Sequence, residues 1–149
     1  MSSQIPLVID ALQTKLSADI TCGPLMVPPG PLLIPKMKYI RITGEGTTSS
    51  TPQATGGQTF EDTFQLTVLI WIQQASPNGW TKVRDLAYSY ANAVKAVIDA
   101  DQFIKDGGNN ATVQRGYVTN WHIENGLDDA GQQFQMGITL TVTCTARVG

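Results

Sequence analysis

The sequence predicts an α+β fold, in which a four-stranded, mainly antiparallel sheet carries two helices on one face. Three observations lead to this prediction. Apolar residues in 80–103 recur every three or four positions, as on one side of a helix. Apolar and polar residues alternate in 60–74 and in 133–148, as in strands that bury one face. At 149 residues the chain has the length of one domain, so we expect 1–149 to fold as a single unit.

Each of the two predicted helices has an apolar stripe. The first begins after a cap at Ser2 or Ser3 and ends near residue 18, with Pro6 in its first turn, where the missing amide costs little. The second helix spans 80–103, and Lys95 and Asp99 lie four positions apart on its polar side, a spacing that allows an ion pair. Its predicted stripe consists of Val83, Leu86, Ala87, Tyr90, Val94, Val97, Ile98 and Phe103.

A proline-rich connector, 23–35, follows the first helix. Its prolines prevent a helix, and its leucines, valine and isoleucine are too apolar for a free chain in water. We expect it to run extended against its own subunit or against a neighbouring one, and the sequence leaves both open.

Four segments have the composition of strands: 36–43, 60–74, 112–124 and 133–148. The strictest alternation is in the last of them, and the turn 125–132 is expected to close a hairpin between the last two. In the second strand one face carries Phe64, Leu66, Val68, Ile70 and Ile72. In the third strand we expect one face to carry Val113, Tyr117, Trp121 and Ile123.

The face of the sheet away from the helices is predicted to be neutral. Leu69 and Trp71 lie on that face of the second strand, and Thr139, Thr141 and Thr143 lie on that face of the last. Only 15% of the residues are charged, against about 25% in an average soluble protein. Neutral β-branched side chains pack well against another pleated surface. These five residues are therefore our predicted subunit interface.

Residues 44–59 contain no apolar side chain larger than alanine. Such a segment cannot offset its ordering entropy alone, so we expect a loop that is mobile or that a partner orders. Loops of this length in a small domain often carry function. We predict partner contacts in this loop and in the turn 125–132, at Glu45, Thr48, Gln53, Asp128 and Asp129.

Nothing in the sequence indicates catalysis, a cofactor or a metal site. The single histidine, His122, has no cysteine or carboxylate at ligand spacing and is expected to be structural or at the surface. The GxSxG motif of hydrolases is absent, and the glycines of 44–46 lack the third glycine and the helix of a dinucleotide-binding loop. The acidic pair Glu61–Asp62 is expected to be solvated. We therefore expect no enzymatic activity and no cofactor.

Charge and hydropathy exclude further classes. The net charge is −2 and no basic cluster occurs, which argues against tight nucleic-acid binding. No apolar run reaches the roughly 18 residues that a membrane helix needs, and no secretory signal is visible. Cys22 and Cys144 belong to no CxxC pair, so we expect buried or half-buried free thiols of a protein made in the cytosol.

The order of these elements resembles the tail terminator, or tail completion, proteins of long-tailed bacteriophages, the lambda-type family. The resemblance rests on a short first helix, a strand, a long polar insertion, a long strand ending in QLTVLIWIQ, an alanine-rich amphipathic helix and a C-terminal hairpin. It implies a ring of six subunits that caps the tail tube, stops polymerisation of the tube protein and joins the tail to the head connector or stopper protein.

The resemblance further implies a virion protein, assembled in the host cytoplasm, that performs no catalysis and meets DNA only as cargo in its lumen, away from any membrane. Two other functions remain open at this point. One is a different neck or tail-tube component of the same virion. The other is a small cytosolic enzyme or ligand-binding domain, which would need a pocket with convergent polar groups.

Overall fold

The computed structural model describes residues 5–29, 38–43, 49–52, 60–75, 79–127 and 133–148. The helices are α1 (Ile5–Ala18) and α2 (Gly79–Ala100), and a 3₁₀ turn at Gly23–Leu25 follows α1. The strands are β1 (Lys38–Thr43), β2 (Ser49–Pro52), β3 (Phe60–Ala75), β4 (Arg115–Leu127) and β5 (Gln133–Val148).

The predicted α+β architecture is confirmed. The main strands stand in the order β1-β3-β5-β4 and every neighbouring pair is antiparallel. The two long central strands, β3 and β5, pair along their whole length. The buried residues of α1 and α2 belong to one apolar cluster with the residues of a single face of the sheet.

That cluster follows the predicted alternation. The inner face of the sheet, which meets the helices, carries buried residues at every second position of three strands: Ile40, Ile42, Phe64, Leu66, Val68, Ile70, Ile72, Met136, Ile138, Leu140, Val142 and Cys144. Because each side chain of this face is apolar, a slip by one residue would expose all of them at once, so the hydrophobic pattern sets the strand register.

The stripe of α2 is correct except at its end. Val83, Ala87, Ala91, Val94 and Ile98 are buried, whereas Phe103 is 52% exposed. The helix stops at Ala100, and the chain turns away with Ile104 at a positive φ of 46°. Ile104 is fully buried and takes the place in the core that the periodicity assigned to Phe103. The predicted ion pair is present, with Lys95 Nζ 2.5 Å from Asp99 Oδ2.

A β-bulge in β4 overturns one predicted face. The register shifts between Val118 and Asn120, so Thr119 is an extra residue on this strand. Trp121 pairs with Leu140 and faces the helices, but Tyr117 pairs with Thr143 and lies on the opposite face. A strict period of two had placed Tyr117 with Trp121, and the inserted residue reverses the alternation between them. Val113, predicted to belong to the strand, is buried but precedes it.

The described part of the connector docks on its own subunit. The amide of Val27 donates to the carbonyl of Ile40 at 3.1 Å, and Met26 forms a parallel bridge with Ile40. The side-chain amide of Gln13 donates to the carbonyl of Val27 at 3.1 Å. The edge of β1 is thus covered at this point by residues of the connector, while residues 30–35 lie outside the described part.

Residues 44–59, predicted to be a loop, contain the short strand β2. It pairs with Phe60–Thr63, the part of β3 that extends beyond β1, because β1 reaches only Thr67. The long neighbouring strand therefore supplies a backbone ladder that composition alone did not indicate.

Candidate assembly surface

The outer face is the face of the sheet opposite the helices. The registers of the four main strands place its side chains in rows across the sheet. One row contains Tyr39, Trp71, Gly137 and Glu124, the next contains Arg41, Leu69, Thr139 and His122, and the third contains Thr43, Thr67, Thr141 and Asn120. Beyond them, Gln65, Thr143 and Tyr117 form a fourth row.

The structure brings the predicted interface residues together on this face. Leu69 lies directly opposite Thr139, with Trp71 and Thr141 in the adjoining rows on either side. All five predicted residues are half-buried in the subunit. The other predicted contacts, at Glu45, Thr48, Gln53, Asp128 and Asp129, lie outside the described residues.

The centre of the outer face is uncharged. No Asp, Glu, Lys or Arg occurs in residues 63–73 of β3 or in residues 134–145 of β5. Beside this stretch, charged residues of the face stand on the flanking strands, with Arg41 on β1 and with Arg115 and Glu124 on β4, and the pair Glu61 and Arg147 lies at one end of the central strands. A strip two strands wide can therefore be covered by another protein without desolvating a charge.

Threonine hydroxyls on this strip have partners within the subunit. The hydroxyls of Thr43 and Thr67 form a hydrogen bond across β1 and β3. The hydroxyls of Thr119 and Thr143 are 2.9 Å apart, and Thr119 also donates to the carbonyl of Thr141 at 3.4 Å. The hydroxyls of Thr43, Thr67 and Thr143 therefore stay paired when another surface covers them, even if that surface offers no hydrogen bond.

Trp71 lies across a glycine of the neighbouring strand. A Cβ atom at Gly137 would lie 3.2 Å from Cε3 of Trp71 and 3.6 Å from Cδ1 of Leu69. The absence of a side chain at this position lets the indole lie over β5. The ring is one wall of an open cleft of about 200 Å³, whose lining comprises Trp71, Glu124, Asn125, Gly126 and Gln135.

The sequence prediction found only the tryptophan of this cleft. Glu124, Asn125 and Gly126 are more than 50 positions from Trp71 in the chain, and β5 separates β4 from β3 in the sheet. The alternation of β5 could have placed Gln135 and Gly137 on the outer face. The positions of Glu124 and Gly126 depend on the bulge at Thr119, which carries no sequence signal.

The two other tryptophans pack against aromatic residues of their own subunit. Trp80, at the start of α2, packs against Phe134 with ring centroids 6.1 Å apart. Trp121 stacks on Tyr88 of α2 with centroids 6.3 Å apart. Trp71 is thus the tryptophan that lies on the outer face.

His122 is a surface residue, as predicted. Its side chain is 64% exposed, and its Nε2 lies 3.1 Å from Oε1 of Glu124. Within the described ranges no group of three or more histidine, cysteine, aspartate or glutamate side chains could hold a metal ion. Among the same residues, no helix has the length and apolar character needed to cross a bilayer.

Both cysteines are buried free thiols, as the sequence indicated. Burial is the main cause that raises the pKa of Cys22 to about 12, with the nearby Asp19 carboxylate adding to it. Burial also raises the pKa of Cys144 to about 12. Neither thiol is activated for nucleophilic chemistry.

No protein-family model matches this sequence. No curated protein matches it either. Among solved structures, a chain from the virion of a native gene transfer agent particle has the same fold, with a TM-score of 0.58 and 14% sequence identity. The similarity covers 97% of this chain and 100% of that chain.

Proposed function

We propose that this chain is a structural protein of a phage-like virion, and specifically its tail terminator. In this function it forms a ring of six subunits that caps the tail tube, ends polymerisation of the tube protein and joins the tail to the head connector. The observation that carries the proposal is the uncharged stretch of the outer face on β3 and β5, which includes Trp71. The shared fold with a chain of a gene transfer agent virion supports it.

A closed ring requires the same contact between every pair of neighbours, made by two different patches of each subunit. Its energy comes from well-packed neutral and aromatic groups at the centre of the contact, and aromatic residues are enriched in such centres. Leu69, Trp71, Thr139, Thr141 and Thr143 have these properties. We assign them to the contact between subunits.

A ring at the end of the tail would have two further protein partners, the tube protein and the connector. The predicted contacts in 44–59 and 125–132, at Glu45, Thr48, Gln53, Asp128 and Asp129, would meet the tube protein on one side and the connector on the other. DNA would pass through the lumen as cargo. The chain has no basic cluster that would hold phosphates in transit.

The test uses the purified chain alone and mixed with tail tubes of the same particle. Light scattering gives the mass in solution, and negative-stain images show whether rings form and where they sit. Rings at one end of the tubes, together with tubes of fixed length when the tube protein polymerises in the presence of the chain, are the expected result. A chain that stays monomeric and leaves tube growth unchanged would refute the proposal.

Rings that bind the connector but never the tube would assign the chain to another position in the neck. The same images distinguish this outcome, because connector particles and tubes differ in shape. No catalytic assay enters the test.

A further inference from the structure

Two charged groups of the outer face stand at its opposite edges without a strong partner. On β1, Arg41 lies within salt-bridge distance of no carboxylate in the described residues, and its Nε atom is buried without a hydrogen-bond partner. On β4, the side chain of Glu124 is 75% exposed, and its partner among the described residues is the imidazole of His122, at 3.1 Å. Each group could gain a charged hydrogen-bond partner from another molecule.

The cleft beside Trp71 has the chemistry of a site for a basic side chain. Its lining residues include a tryptophan, Trp71, a carboxylate residue, Glu124, and two amide residues, Asn125 and Gln135. A guanidinium group is planar, binds carboxylates with two parallel hydrogen bonds and stacks favourably on an aromatic ring. Glu124 is the one charged residue in this lining, so the cleft favours a cation.

We infer that the cleft of each subunit binds Arg41 of the next subunit in the ring. This inference rests on the proposed function, because it gives the residues that meet at the ring contact. Arg41 and Glu124 lie on the same face, in neighbouring rows and on opposite edge strands. That is the arrangement a head-to-tail contact needs, since the β1 edge of one subunit then lies over the outer face of its neighbour, as far as the cleft beside Trp71.

Other basic side chains fit the cleft less well. Lys15, Arg84 and Lys95 have acidic partners in their own subunit. Arg115, also on the outer face, lies over the ring of Tyr117 at 4.5 Å from its centroid. Of Arg41 and Arg115, the two outer-face arginines whose side chains the structure describes, Arg41 lacks either kind of partner.

The contact is made by side chains and not by pairing of edge strands. Val27 already bonds to the free edge of β1 at Ile40, and the next residues, Pro28 and Pro29, have no amide hydrogen to donate. A neighbouring β4 therefore finds no continuous ladder on this side. A long side chain such as arginine can still reach across the covered edge.

Charge reversal tests the inference. Glu124→Arg places two cations at the contact and is expected to raise the concentration for half-assembly of the ring by about 100-fold, since close like charges cost several kcal/mol. Arg41→Glu should do the same, and the double variant should restore assembly because the pair is then reversed. Arg84→Glu, on the exposed side of α2, is the matched control and should assemble like the wild type.

Each result has one interpretation. Glu124→Arg hardly risks the fold because its side chain is already exposed, and circular dichroism checks that Arg41→Glu is folded. If the wild type forms rings and Glu124→Arg forms them equally well, the inference is wrong while the proposed function stands. If the wild type forms no ring alone or on tubes, the proposed function fails and the inference fails with it.

Cross-linking gives a second readout that does not depend on affinity. In a variant with both Arg41→Cys and Glu124→Cys, a short bis-maleimide would join the two new thiols by addition to its double bonds. The native Cys22 and Cys144 are buried and should not react. A ladder of covalent oligomers is expected, and each single-cysteine variant should give at most dimers. A ring that yields no ladder would overturn the inference.

Discussion

Replacing Thr141 with glutamate tests directly whether the outer face is the subunit contact. Thr141 lies in the middle of β5, opposite Thr67 on one side and Asn120 on the other. Thr141 is half-buried, so a carboxylate at this position stays hydrated in the free subunit. We expect the substitution to lower the free energy of unfolding by about 1 kcal/mol, the span of strand preferences.

In the ring the same carboxylate would be covered by a neighbour. The central strands carry no cation between 63 and 73 or between 134 and 145 that could pair with it. An uncompensated buried charge costs about 3 kcal/mol or more, which corresponds to about 100-fold in the association constant of each contact. Assembly should therefore require about 100-fold more protein, while the melting temperature changes by only a few degrees.

Two controls isolate the charge. Thr141→Val keeps the β-branched shape, and the bond from Thr119 is retained because it ends on the backbone carbonyl of Thr141. This variant should assemble normally. Asn92→Glu adds the same charge at an exposed position of α2 and should also assemble. Light scattering over a concentration series, with thermal melting of each variant, gives both quantities. Normal assembly of Thr141→Glu would refute the assignment of this face.

Three further predictions concern stability and reactivity. In Gly23→Ala the new Cβ would lie 2.6 Å from the carbonyl oxygen of Ser17, so we expect a loss of about 1–3 kcal/mol in chemical denaturation, whereas Gly107→Ala has no atom within 4 Å and should be neutral or slightly stabilising. Burial raises the pKa of Asp101, but hydrogen bonds from the side chain of Lys15 and from a backbone amide outweigh it and hold that pKa below its usual value. The stabilisation is therefore present above about pH 4 and lost as the pH falls through the lowered pKa, and Asp101→Asn should lower stability at pH 7 while flattening its acid dependence. Both native thiols have a pKa of about 12, so a thiol reagent at pH 8 should modify neither in the folded chain and both in denaturant; fast modification of the folded chain would contradict their burial.

The strands that bury one face strictly were predictable to within about a residue. In β5 every second residue from Met136 to Cys144 is apolar and buried, and the predicted 133–148 is the observed strand. The core supplies this signal, because any polar residue on the inner face would cost several kcal/mol. The outer face follows without further information, since successive side chains of a strand point to opposite sides. That is why Leu69 and Trp71 could be placed from sequence.

Elements determined by tertiary contacts were not predictable in the same way. The bulge at Thr119 is an extra residue in β4 relative to its partner β5. The sequence of β4 alone does not show it, because the partner residues are not known. The strand β2 forms because β3 extends beyond β1. Ile104 replaces Phe103 in the core through a positive φ, which no periodicity of the helix indicates. Each of these depends on contacts with another segment of the chain, which the pattern of one segment does not show.

The candidate cleft depends on both kinds of information, and this explains why the sequence predicted Trp71 and none of the other four lining residues. Trp71 is placed by the alternation of β3, a local property. Glu124 shares its row only because the bulge shifts β4 by one position, and without that shift the residue would lie on the inner face opposite an apolar core. Deleting Thr119 should remove the bulge but keep Asn120 opposite Thr141 and Glu124 on the outer face, so the cleft and the assembly should persist. A deletion variant that is folded but no longer assembles would show that the contact depends on the bulge itself and not on the register of Glu124 alone.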